Sequence, residues 1–475
     1  MSTVKQAPPQ DAGLRRGVMG PAELGAQAIA NIAPSAVLAF TAAAIFISAG
    51  SGTLLSLLLA MIVILSVGWC VTIFARKNAS AGSLYTYVSK SLGPTAAYIA
   101  GLALIIGCWG VTAGSLGGGV SYAADLLQAF GVPAASTVGY VVLTLILGAV
   151  TTFFTIQGIQ ISARVSFVLE IVSVLIILTL FVTALFAIGP DAWHPQQFTL
   201  VGAPPQGIAA GMELGVLGFA GFSSADALGR EAKNPYKAIP RVIMWSVVGI
   251  GLIYLFGAYT QIAVLGDGLA ESANPLQDIA DRIGMPGWFT AVLLFGVAAS
   301  FSAVCIAALN VFGRIVYVMG KEGVVHESLG RTHRKHLTPH RVLLIGGTLS
   351  VVVDIALLLN GIHPMEIVIW LDTLGVYGYM AAYALVSFAC AVYVRKMGMP
   401  RTLVTVCATI AVLAMAYIFF ANVWPVPAFP LNLIPYVFVA SMLVGFAWFA
   451  RIRRTRPEVL ARIGYTETDT LGGLG

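Results

Sequence analysis

Residues 211–241 read GMELGVLGFAGFSSADALGREAKNPYKAIPR. The stretch starts apolar, is interrupted by Gly218, Gly221, Ser223 and Ser224, and ends in a charged, proline-punctuated loop. A helix crossing lipid cannot leave backbone polar groups unpaired, so protein, water or a ligand must take them up. A weak point in mid-span is therefore a packing device or a binding site. The rest of the chain decides between them.

Composition sets the class. The 475 residues are 58% hydrophobic and only 10% charged, where a soluble domain carries about 25% charged residues. Apolar runs of about 20 residues recur from end to end, each long enough to cross about 30 Å of hydrocarbon. An all-α, multi-pass membrane protein follows. Met1–Gly20 is polar, with no short apolar core before a small-residue cleavage site, so no cleavable leader is expected. Cys70, Cys108, Cys305, Cys390 and Cys407 all fall in apolar runs with no metal-type spacing, and read as packing residues.

Twelve spans are expected, near 24–48, 53–75, 95–127, 136–157, 163–188, 206–229, 242–265, 287–313, 342–360, 365–394, 402–422 and 431–450. With both termini in the cytoplasm, 25 of the 26 Lys and Arg residues lie inside and only Arg282 lies outside. That is the positive-inside bias, and it supports both the count and a cytoplasmic-membrane location. Residues 1–20 form a cytoplasmic tail, 21–462 the transport domain, and 463–475, small and polar, a disordered cytoplasmic tail. Asn78–Gly93 is too polar to span and is expected as a short helix lying at the cytoplasmic surface. The chain has no phosphate-binding loop and no tract suited to nucleic acid. Its histidines fall in loops, which argues against a membrane enzyme.

Span 1 carries its own interruption, Asn31-Ile32-Ala33-Pro34-Ser35. Proline removes a backbone donor and clashes with the carbonyl four residues back, so the helix kinks or breaks there. Interruptions in the first and sixth spans match if spans 1–5 and 6–10 are related halves, and such pairs point to a transporter's binding site. Helix amino ends suit a carboxylate, and helix carboxyl ends suit an ammonium group or a cation.

The run Gly221-Phe222-Ser223-Ser224-Ala225-Asp226-Ala227-Leu228-Gly229-Arg230-Glu231-Ala232-Lys233-Asn234-Pro235, with Ile239-Pro240-Arg241, resembles the span-6 signature of the amino acid–polyamine–organocation (APC) transporter family. Ser80-Ala81-Gly82-Ser83-Leu84-Tyr85-Thr86-Tyr87 with Gly93-Pro94 is similar to that family's loop after span 2. Arg314, Tyr317, Met319-Gly320-Lys321-Glu322-Gly323 and Thr338-Pro339 are similar to its segment after span 8. The resemblance implies a leucine-transporter-type fold: a 5+5 inverted repeat, about 21–189 and 204–395, plus two extra helices within 401–455. It also implies a permease for an amino acid or small amine, the lipid bilayer being the other partner. By carry-over, Ile32, Ala33, Pro34, Ser35 and Ala36, with Phe219, Ala220, Gly221, Phe222 and Ser223, would bind substrate. Phe219 and Phe222 are the candidates to close over it. The chain departs from its relatives at Ser223, Asp226, Arg230 and Ala33-Pro34-Ser35, which leaves the substrate open, as is the oligomeric state.

Ionisable residues inside a membrane are costly and mark function. Glu170, Glu213, Asp226, Asp125, Asp354 and Asp372 qualify. Some proton-coupled relatives carry a span-5 lysine that aligns with Ser173, so Glu170, one turn earlier, is the candidate proton carrier. A structural pair with Arg164 or another cytoplasmic-side cation is the competing role. Sodium near Ala33, Ser300 and Ser302 is the alternative coupling ion, and neither a metal nor an organic cofactor is expected. Glu213 and Asp226 bracket the span-6 break, and either would favour a cationic substrate if it faces the pocket. The alternatives to proton-coupled uptake are a polyamine or cationic amino acid exchanger and a non-transporting nutrient sensor.

Overall fold

The computed structural model describes residues 13–272 and 274–471. In chain order it has α1 (Pro21–Ile32), α2 (Pro34–Ala49), α3 (Thr53–Ala75), β1 (Asn78–Ser80), α4 (Ser83–Leu92), α5 (Pro94–Ala129), α6 (Thr137–Ile156), α7 (Ile159–Ile188) and α8 (Pro205–Leu217). There follow α9 (Pro235–Leu265), α10 (Pro275–Arg282), α11 (Gly287–Glu322), α12 (His340–Leu359), α13 (Pro364–Lys396), α14 (Thr402–Ala421), α15 (Ile434–Thr455) and β2 (Thr468–Thr470). Seven of the α-helices begin on a proline. Proline fits the first helical position because its missing N–H would have no partner there. Pro34 is thus a helix start, and span 1 becomes two helices.

Ten segments of the described residues are long and apolar enough to cross a membrane, and one of them, Pro21–Ala75, contains α1, α2 and α3. The expected sixth span is absent as a continuous helix. It consists of α8, only 13 residues long, then turns, then a 3-10 segment at Ser224–Leu228. This is a multi-pass membrane protein.

The centre of the bundle is α5 against α13 and α11. Glycines permit the closest approach: a Cβ at Gly110 would lie 2.7 Å from the Gly375 backbone nitrogen. The periphery carries exposed large apolar side chains such as Val138, Phe186, Trp245 and Val444, which suit a lipid surface.

One end of the bundle is closed by polar ties. Val18 and Met19 each donate a backbone N–H to the Glu231 carbonyl at 2.8 Å, and the Lys233 N–H donates to Met19 O at 2.9 Å. Arg314 grips the Glu231 carboxylate twice, Nε to Oε2 at 2.7 Å and Nη2 to Oε1 at 3.0 Å, with both side chains 1% exposed. The Arg314 guanidinium also donates to the Asn310 carbonyl at 2.8 Å.

Two expectations are corrected at this end. The segment after Arg462 was expected as a disordered tail, but as far as Leu471 it is docked. β2 pairs antiparallel with β1, Thr468 opposite Ser80, and Glu467 and Asp469 flank the Arg230 guanidinium. The Gly464 N–H donates to Glu322 Oε1 at 2.7 Å, and Lys90 stands 4.0 Å over the Tyr465 ring. Burial pulls the Lys90 ammonium below its usual pKa, against the Glu322 charge that holds it up. Helix α4, expected on the surface, is largely buried from Ser83 through Val88, packed against α5 and α13. Residues 1–12 and 472–475 of the expected tails lie outside the described residues.

Candidate functional site

The first interruption is one residue wide. Ala33 adopts a left-handed conformation, φ +54°, between α1 and α2. Its N–H still donates to Ile29 O at 3.2 Å, and its carbonyl accepts from the Val37 N–H at 3.0 Å. The chain turns at Ala33 without wasting those two groups.

The second interruption is longer, and side chains of other helices support it. Gly221, at φ +84°, accepts from Asn31 Nδ2 at 3.2 Å and donates its N–H to the Tyr383 hydroxyl at 3.1 Å. The Gly218 carbonyl accepts from the Tyr254 hydroxyl at 2.7 Å. Ser224 Oγ donates to the Gln27 carbonyl at 3.1 Å, while Gln27 Nε2 donates to Ala307 O at 2.8 Å. The two breaks therefore touch each other through Asn31 and are wired to α9, α11 and α13. Unwound backbone inside a membrane bundle is tolerated when buried in protein or lining a cavity, and both conditions hold here.

A cavity of about 1130 Å³, open mouth included, adjoins both breaks. It is walled by α1 and α2, by the end of α8, and by α5, α11 and α13. Of the expected substrate-binding residues, Ile32, Ala33, Ala36 and Ala220 line it. Pro34, Ser35, Gly221 and Ser223 lie beside it in the two breaks but do not form its wall. Phe219 and Phe222, both fully buried, pack elsewhere: Phe219 edge-on to Tyr254 at 5.0 Å and Phe222 against Tyr383 at 5.1 Å. The aromatic side chains on the cavity are Phe40 and Phe301.

The acids sort differently from expectation. Asp226 accepts from Ser83 of α4 and Glu213 from Asn422 after α14, and neither lines the cavity. Glu170 is fully buried beside the first break. Its Oε2 accepts from Ser300 Oγ at 2.8 Å, and its Oε1 lies 3.5 Å from the Ser35 N–H, a long contact at the amino end of α2. Arg164 pairs with Glu23 instead, at 3.2 Å, so the expected pair of Glu170 with Arg164 is corrected. Ser173 is buried with its hydroxyl unpartnered, and Ser302 Oγ donates to Ala298 O of its own helix at 2.8 Å.

Asp372, Phe40 and Phe301 on the cavity, and Tyr379 and Tyr383 behind Gly221, were not singled out from sequence as site residues. Asp372 was noted only as a costly charge. For the tyrosines the sequence signal was their spacing on one face of α13, which core packing produces equally well.

A multi-pass helical bundle with a cavity between two interrupted helices defines a carrier of small molecules. The comparisons agree with that class. The family model described as amino acid permease matches residues 27–448. The branched-chain amino acid permease BcaP of Bacillus subtilis is 24% identical over 74% of this chain and 75% of its own length. The uncharacterized transporter Rv1999c of Mycobacterium tuberculosis is 28% identical over 83% and 82%. The low-affinity putrescine importer PlaP of Escherichia coli is 26% identical over 61% and 64%. The chain belongs to the amino acid permease family of the APC transporters, and it is a permease rather than an enzyme.

Proposed function

We propose that this chain is a secondary active permease that takes up an amino acid or small amine across the cytoplasmic membrane by alternating access, driven by protons. The observation that carries the reading is the cavity between the paired breaks, with the basic end of the bundle tied shut beneath it. That arrangement fits an outward-facing state in a twelve-crossing, inverted-repeat bundle with both termini in the cytoplasm. The distribution of Lys and Arg supports the orientation. Relatives named for amino acid and putrescine transport support the solute class.

Glu170 supports the coupling. A carboxylate between Ser300 and the amino end of α2 is held there partly by the helix dipole. Protonation removes the charge that the helix end attracts and loosens α2 from α7 and α11. Sodium near Ala33, Ser300 and Ser302 is the alternative ion, since both hydroxyls keep their lone pairs while donating to Glu170 and to the Ala298 carbonyl. The test is uptake into proteoliposomes with and without an inward proton gradient. Accumulation should require the gradient, and Glu170→Gln should abolish accumulation while sparing counterflow exchange. Equal uptake without the gradient removes proton coupling from the reading.

A further inference from the structure

Among the side chains that line the cavity, Asp372 alone is ionisable. It sits in the third turn of α13, pressed against Gly114 of α5, where a Cβ would lie 2.9 Å from the carboxyl carbon. The glycine is what admits the carboxylate to the wall. Its Oδ1 is buried with no hydrogen-bond partner, and no Lys, Arg or His lines the cavity to balance it. The charge of Asp372 is also felt by Asp354 of α12, which is buried with neither of its oxygens partnered. A carboxylate in a mostly apolar cavity is costly until a proton or a cation meets it.

The rest of the cavity lining is uncharged. At the amino end of α2 the Ser35 N–H already faces Glu170, while Ala36 stands on the cavity wall. The cavity therefore presents a single carboxyl and no basic side chain, and it favours a solute that brings positive charge to it. We infer that Asp372 is the specificity-determining carboxylate of this cavity, taking the terminal ammonium of a basic amino acid or a diamine. This rests on the permease reading above and narrows its solute class.

The full-length protein in detergent would be titrated with matched pairs: lysine against norleucine, and putrescine against γ-aminobutyrate. At least one pair should bind, with its more cationic member at least about tenfold tighter, the scale of one charge-assisted hydrogen bond. Asp372→Asn should bring that ratio within about twofold by weakening the more cationic member. Asp372→Glu, which keeps the charge, should retain a preference for the cation. A neutral member that binds wild type equally well overturns the assignment, and so does a ratio that survives Asp372→Asn. Leucine counterflow alongside either result leaves the permease reading standing. Failure of every amino acid and amine both to bind and to exchange removes the two together.

Discussion

Asn31 and Gly221 carry the contact between the two breaks. Gly221 needs φ +84°, and a Cβ there would lie 2.8 Å from the Asn31 carbonyl oxygen. Strain and clash act together, so Gly221→Ala should destabilise the protein by about 1–3 kcal/mol. A thermal melt in detergent should fall accordingly, and transport should be lost. Asn31→Ala should spare the backbone but leave the Gly221 carbonyl without its donor, at a cost of about 1–3 kcal/mol. At this scale the sequence was informative where chemistry is local. Pro34 and Gly221 restrict or release the backbone wherever they occur, so both breaks could be read in advance. The faces of Phe219, Phe222, Glu213 and Asp226 could not. The segment that holds Phe219, Phe222 and Asp226 has no helical period from which to project them, and Glu213, although on α8, is drawn to Asn422; none of the four lines the cavity.

Among elements, the segment joining α8 to α9 replaces helix hydrogen bonds with ties to its neighbours. The strongest is the Glu231–Arg314 pair between that segment and α11. Arg314→Ala would leave the Glu231 carboxylate enclosed and unpaired, which costs about 3–5 kcal/mol. Reversing both charges should recover part of the loss, which chemical denaturation of single and double variants would measure. The sequence placed both residues in motifs but could not pair them, since they come from separate motifs 83 positions apart. Helix α4 shows the same limit. Its polar sequence suits a surface, yet it is buried against α5 and, from far along the chain, α13.

For the whole molecule, the closed end is assembled from the chain's two extremes. Residues 18–19 lace onto residues 231–233, and residues 464–470 lace onto β1, Arg230 and Glu322. Truncation after Arg462 would strip these ties, but water would then reach Arg230 and β1. The melting temperature should therefore drop by less than for Arg314→Ala, and the amides of residues 78–80 should lose protection in hydrogen exchange. A tail of small polar residues has too little apolar surface to be recognised as folded, so composition alone classed it as disordered. Thr468 and Ser80 stand 388 residues apart in the chain. During synthesis, β1 must therefore wait without its partner strand while every intervening helix enters the membrane. A nascent chain cut short of residue 463 would display that bare polar ledge to the cell's proteases, and the docked strand marks translation carried through the final helix.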